Sequence, residues 1–173
     1  MESDRSAAVR DYVLAVVKLG SRGGVFRYRT RIHKVIFVLA QEFEELSWMR
    51  NDFIPHHFGP WSYEIEFEIE YLTRLGLLEE RVDRLDVIDG LRHTGYVYCY
   101  RLTRAGRVFA ERAVKELSPK IKKRMKELLR LSLWELIGYV YVRHPECATR
   151  SVHVDDELLP VRRRLTAQQP SPE

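Results

Sequence analysis

Between Gly76 and Thr103 the spacing of apolar residues changes from helical to strand-like and back. No other feature of the chain constrains its fold as strongly, because the two periods bury their apolar faces in different ways. Before this point, residues 7–19 carry Val9, Tyr12, Val13, Val16 and Val17 as a helical stripe that stops at Gly20, with Gly23 and Gly24 beyond. Thr30 is expected to cap a second helix to about residue 46, with Ile32, Val35, Ile36, Leu39 and Phe43 on one side. An extended segment, 52–58, leads into Gly59-Pro60. Ser62 then caps a third helix running to Leu75, with Ile65, Ile69 and Leu72 buried and Gly76 as its stop.

Residues 77–87 and 96–102 read as strands, and Tyr96, Val97, Tyr98, Cys99 and Tyr100 are rich in strand formers. Asp89-Gly90 supplies turn chemistry within a connection longer than a tight hairpin. Thr103 caps a fourth helix over 104–117, Ser118-Pro119 opens a fifth, and Ser132 opens a sixth that runs to residue 143 before Pro145. Residues 154–173 are polar, contain Pro160, Pro170 and Pro172, lack periodicity and are expected to form a mobile tail.

Three helices followed by a two-stranded wing describe a winged helix-turn-helix. The expected fold is therefore mainly α with a small β wing: a winged-helix domain over 5–117, a helical extension over 118–151 and a flexible tail over 152–173. Leu128, Leu131, Leu133, Leu136, Ile137 and Val140 form an apolar stripe on the last helices. That stripe is expected to join two copies of the chain as a homodimer.

Specific residues carry a family resemblance. They are Arg31-Ile32-His33-Lys34-Val35-Ile36-Phe37, the stretch 53–58, Gly59-Pro60-Trp61-Ser62 and Leu75-Gly76-Leu77-Leu78-Glu79. Tyr100-Arg101-Leu102-Thr103-Arg104-Ala105-Gly106, Tyr139-Val140-Tyr141 and His144-Pro145-Glu146 extend the match. Over residues 7–151 the chain resembles a family of uncharacterised archaeal and bacterial winged-helix proteins, and more distantly the Panacea-type antitoxin domains. The aromatic-Gly-Pro-aromatic-Ser turn is the most specific element. The resemblance implies a fold and a regulatory role, without a catalytic motif.

Composition narrows the chemistry. Cys99 and Cys147 are the only cysteines and lack CxxC spacing, so they read as two packed thiols; a disulfide between them stays open. One asparagine and three glutamines among many Arg and Glu residues hint at a high-temperature protein. The first ten residues are charged and lack an apolar signal core, and no apolar run approaches a membrane span. A cytoplasmic location is expected. His56 and His57 are adjacent in an extended segment, which directs their side chains to opposite faces and argues against a shared metal ion. His144 and Cys147 lack a second ligand pair, and Gly20, Gly23 and Gly24 lack the lysine of a phosphate loop. The expectation is a protein without enzymatic activity, metal or cofactor.

Charge is sorted along the chain, although its net value is only +4. Residues 1–40 are basic, residues 41–80 acidic and residues 101–130 basic again. The third helix carries Glu64, Glu66, Glu68 and Glu70, with Glu64/Glu68 and Glu66/Glu70 each four residues apart. In a winged helix this element usually enters the major groove, where phosphates would repel such rows. DNA contact is therefore expected from other segments. These are Arg22, Arg27, Arg29, Arg31 and Lys34 before and within the second helix, Arg81, Arg84 and Arg92 in the wing, and Lys120, Lys122, Lys123 and Lys126 on the fifth helix; Arg162-Arg163-Arg164 could add contacts from the tail. The leading expectation is a DNA-binding regulator. The alternatives are a protein-interaction module presenting Trp61, Glu64, Glu66, Glu68 and Glu70 to a basic partner, or a ribonucleoprotein component.

Overall fold

A computed structural model describes residues 2–85 and 95–148 of the 173. The chain is mainly helical with a small antiparallel sheet. Six α-helices are present among the described residues: α1 (Glu2–Gly20), α2 (Arg29–Glu42), α3 (Tyr63–Arg74), α4 (Arg104–Glu116), α5 (Pro119–Arg130) and α6 (Leu133–Arg143). The five strands are β1 (Phe26–Arg27), β2 (Ile54–His56), β3 (Gly59–Trp61), β4 (Leu78–Leu85) and β5 (Gly95–Leu102). The expected turn at Asp89-Gly90, Arg92, the triple arginine and the tail lie outside the described residues.

Two helices form the centre. In α1, residues 13–17 are all buried, and in α2 every residue from Ile32 to Ala40 is buried. A helix apolar on every side is surrounded on every side. Accordingly, α1 touches α2, α3, α4 and α5, while α2 also meets α5 and α6. Leu14 and Ala15, outside the stripe read from the sequence, are as buried as Val13 and Val16.

The apolar stripe of α5 and α6 closes this same core. Leu128, Leu133, Leu136, Ile137 and Val140 are 0–6% exposed and Leu131 packs against the cluster. The stripe expected to join two copies is therefore consumed within one chain, because α1 and α2 need that apolar cover themselves.

Side-chain caps open four helices where sequence chemistry puts them: Ser62, Thr103, Ser118 and Ser132 each accept a hydrogen bond from the amide three residues on. Ser132 and Glu135 form a full capping box. Gly106 in α4 lets that helix lie against the backbone of Leu77, whose carbonyl oxygen would sit 1.9 Å from an added Cβ.

The entry to α2 differs from expectation. Thr30 lies inside the helix; Tyr28 occupies the cap position at φ 74° and provides no side-chain cap. Strand pairing decides this start. Phe26 and Arg27 pair with Tyr100 and Cys99, and the Tyr28 amide donates to the Tyr98 carbonyl at 2.9 Å. The sheet order is therefore β1-β5-β4, with a first strand of two residues that sequence periodicity does not reveal.

Helix α2 also ends earlier than expected, at Glu42 rather than near residue 46. Phe43 is extended, a 3₁₀ segment spans Glu44–Asp52, and Arg50 Nε donates to the Ala40 carbonyl at 2.8 Å, closing the helix end. Beyond it, the segment read as extended and the Gly-Pro turn form one hairpin, β2 with β3, in which Pro55 faces Pro60. Cys99 and Cys147 are both buried free thiols.

Candidate nucleic-acid interface

The connection from α1 to β1 builds a cationic hollow. Arg22 and Val25 exchange backbone hydrogen bonds of 2.9 and 3.1 Å around Gly23 and Gly24, whose φ values are 57° and 79°. Positive φ at both central positions is the turn type that matches strand twist, and glycine supplies it without strain. The turn sends the chain into β1, where alternation buries Phe26 and exposes Arg27.

Tyr28 and Arg31 follow, and Arg130 arrives from the end of α5. Together with Arg22, Arg27 and Glu135 they line a groove of about 460 Å³. Four guanidinium groups thus face one carboxylate. Glu135 is already engaged, accepting the Ser132 amide at 2.8 Å, and Arg31 Nη2 holds the Leu131 carbonyl at 2.6 Å between α5 and α6. Arg22, Arg27 and Arg130 are exposed and join no salt bridge among the described residues. Tyr28 is the one non-glycine residue at positive φ among the described residues. Such strained backbone persists where the surroundings over-determine it, and it clusters at binding sites.

The positive surface continues from this groove. Lys123 and Lys126 are exposed on α5 at seven and four residues before Arg130, on one helical face, with Lys122 half-buried beside them and Lys120 exposed at the helix start. On the other side of the glycine turn, Arg101, Arg104 and Arg107 line a second hollow of about 360 Å³ with Glu79. In the sequence, Arg101, Arg104, Arg107 and Arg130 stand out only as members of the basic block 101–130. Their approach to the Arg22–Val25 turn depends on the α4, α5 and β1 packing, which has no local sequence signal.

Other expected contacts are directed inward. Arg29 bonds Glu66 at 2.7 Å, Glu80 and the Tyr100 hydroxyl, with its guanidinium 3.9 Å from the Tyr98 ring centroid. Although burial works against its charge, Tyr100, Glu66 and Glu80 hold its pKa above the ordinary value. Lys34 is fully buried and its amine donates to the Pro60 carbonyl at 3.0 Å, so it offers no charge to a ligand. Burial lowers its pKa to about 7, with Cys147 opposing. Arg81 pairs with Asp83 at 2.8 Å, leaving Arg84 exposed on the same strand.

The acidic third helix is likewise spent within the chain. Glu64 accepts from the Ser6 hydroxyl at 2.7 Å, Glu66 takes Arg29 and His33, and Glu68 is fully buried against Arg10 at 2.7 Å. Glu70 is the one of the four that is exposed, 3.5 Å from Arg74. Three of the four carboxylates expected to meet a partner instead hold α3 to α1 and α2.

Trp61 is part of the same internal framework. Its ring stacks on His33 at 3.8 Å and on His56 at 5.2 Å. His33 Nδ1 accepts the Ser62 amide, which leaves Nε2–H to donate to Glu66 at 2.9 Å. Burial lowers the His33 pKa to about 4, with the Glu66 hydrogen bond opposing, so the ring is neutral in this role. Gly59, at φ 88°, allows the hairpin to approach within 2.6 Å of Tyr141 at the position of an added Cβ. The His56 and His57 rings stack at 4.8 Å rather than pointing apart, because β2 ends at His56 and strand alternation no longer applies to His57.

No protein-family profile, curated protein or solved structure matches this chain. Among the described residues no group of three or more His, Cys, Asp or Glu side chains is arranged to hold a metal ion, and no helix is long and apolar enough to cross a membrane.

Proposed function

We propose that the protein is a non-enzymatic, winged-helix DNA-binding regulator that grips phosphates in the Arg22–Arg27–Arg31–Arg130 groove and along the basic face of α5. The observation that carries this reading is convergence. Four arginines from the α1–β1 turn, β1, α2 and α5 line one hollow with a single, already bonded carboxylate. Arg22, Arg27 and Arg130 are exposed and join no salt bridge among the described residues, and phosphate is the partner their forked geometry fits.

The winged-helix assignment is supported by a three-stranded sheet ordered β1-β5-β4, whose first strand enters between α1 and α2, and by the β4–β5 hairpin after α3. The connection from α2 to α3 departs from a tight helix-turn-helix, since residues 43–62 hold a 3₁₀ segment and a hairpin. Helix α3 has an acidic and aromatic outer face, so binding here is positioning on the backbone rather than reading of bases. An interaction module built on an acidic α3 has less support, because its carboxylates are bonded internally.

Fluorescence anisotropy of duplex DNA against the protein over a series of salt concentrations tests the proposal. Arg22→Ala/Arg27→Ala/Arg130→Ala is expected to lose roughly a hundredfold in affinity at low salt and to reduce the slope of log K against log salt by about 3. Arg112→Ala, at an exposed arginine paired with Glu116, serves as control. Absence of wild-type binding at low salt, or an equal loss in the control, overturns the reading.

A further inference from the structure

The outer face of α3 is aromatic. Tyr63, Phe67 and Tyr71 recur four residues apart and are 71%, 56% and 36% exposed, and Leu75 at the helix end is 51% exposed. The Phe67 and Tyr71 rings lie nearly parallel, 6.2 Å apart, and Arg10 sits 4.5 Å from the Tyr71 ring. Single exposed apolar residues are ordinary, whereas four along one helix form a contact surface.

We propose that this face binds the same face of a second copy of the chain, with the two α3 helices antiparallel across a twofold axis. An isologous contact requires a patch that complements itself under that rotation. The stripe repeats evenly, and its two ends carry opposite charge: Glu64, half-buried where one oxygen accepts from Ser6, stands in the first turn and Arg74, 78% exposed, in the last. Antiparallel pairing brings Arg74 of each copy to the Glu64 end of the other; parallel pairing would set like charges together.

Area is consistent with this occupant. At about 200 Å² per aromatic side chain, the exposed fractions leave on the order of 300 Å² of ring surface in water on each copy. With Leu75, Glu70 and Arg74 added, two copies approach the roughly 1,000 Å² of a specific interface. Phosphate is a poor occupant, since Glu64 and Glu70 border the stripe. None of the groove arginines belongs to α3, so pairing leaves both grooves open and doubles the cationic surface of the particle.

Sedimentation velocity and light scattering on the full chain over a wide concentration range test the proposal, with a mass of twice 20.5 kDa expected. Phe67→Glu is expected to raise the dimer dissociation constant on the order of a thousandfold, because both copies lose the anchor. Its circular dichroism should stay unchanged, and its melting temperature should match that of the wild type at concentrations low enough for the wild type to be monomeric, as Phe67 is outside the core. Arg74→Glu and Glu64→Arg should each weaken self-association roughly threefold to tenfold, and their mixture should restore a heterodimer, since both crossed pairs then become Glu–Arg. A monomer at every concentration overturns the proposal, as does a dimer indifferent to Phe67→Glu. Mixing that fails to restore association overturns the antiparallel arrangement. A monomeric wild type whose DNA affinity falls in Phe67→Glu would assign the face to nucleic acid instead.

Discussion

Helices α3 and α5 are each 12 residues long, each opens at a serine cap and each carries a run of like charge, yet the two runs have opposite fates. The glutamates of α3 occupy every second position from 64 to 70, so they rotate around the helix and two of them reach arginines of α1 and α2. On α5 only Arg124 is tied, in a two-pronged bond to Glu42 reinforced by Tyr139. Lys123, Lys126 and Arg130 stay in water on one face. What remains outside on α3 is aromatic, and what remains outside on α5 is cationic. Charge counted along a chain therefore reports surface potential only after the neighbouring elements have taken their share.

Stability should separate the two helices most sharply. Arg10→Ala leaves the fully buried Glu68 carboxylate without its cation and is expected to cost roughly 3 kcal/mol in urea denaturation, because an uncompensated buried charge is the costly half of a broken pair. Lys126→Ala on α5 should leave the transition in place. Equal sensitivity of the two variants would erase the contrast.

A smaller effect follows from the neutral groups behind α3. The folded pKa of Lys34, about 7, lies below its unfolded 10.5, so the unfolded chain holds the extra proton between these values and stability rises with pH. The Cys147 thiol, raised by burial to about 11, opposes this above pH 9. A gain of about 2 kcal/mol from pH 7 to 9 is expected, flattened in Lys34→Met. His33, lowered to about 4 from 6.5, works in the acid range: its contribution is complete above pH 6.5 and is lost as pH falls toward 4. Denaturation midpoints of His33→Gln over that window should show a shallower acid slope. An unchanged slope would remove His33 from the account.

Smallest is the effect on binding of the α5 face alone. Lys123→Ala/Lys126→Ala should weaken duplex binding about tenfold and lower the salt slope by about 2, less than the groove variant. Glu70→Gln on α3, removing a carboxylate that only Arg74 meets, should change DNA affinity less than twofold, by roughly 0.4 kcal/mol at most. A larger loss from Glu70→Gln than from the lysines would reverse the comparison.

Much of the local structure was legible in the residues. The serine and threonine caps, the stop at Gly76 and the period change into β4 and β5 are short-range chemistry, decided within a few bonds of the side chain involved. The two-residue β1 was not, because two residues carry no periodicity; nor was the early end of α2, which depends on Arg50 returning to Ala40. For the candidate site, Arg22, Arg27 and Arg31 were legible as neighbours along the chain. Arg130 was not, since it reaches them across about a hundred residues through the packing of α5 on α1 and α2.

By itself, then, the sequence determined which segments become helix or strand, where most of them begin, and that cations and carboxylates would occur in blocks. Tertiary structure alone decided which of those charges still face solvent. A helix propensity or a cap depends on nearby atoms, whereas a charge is neutralised or left free according to what the folded chain brings within about 4 Å of it. That is why the acidic run of α3 became internal scaffolding while Arg22, Arg27, Arg31 and Arg130, drawn from distant segments, became the groove.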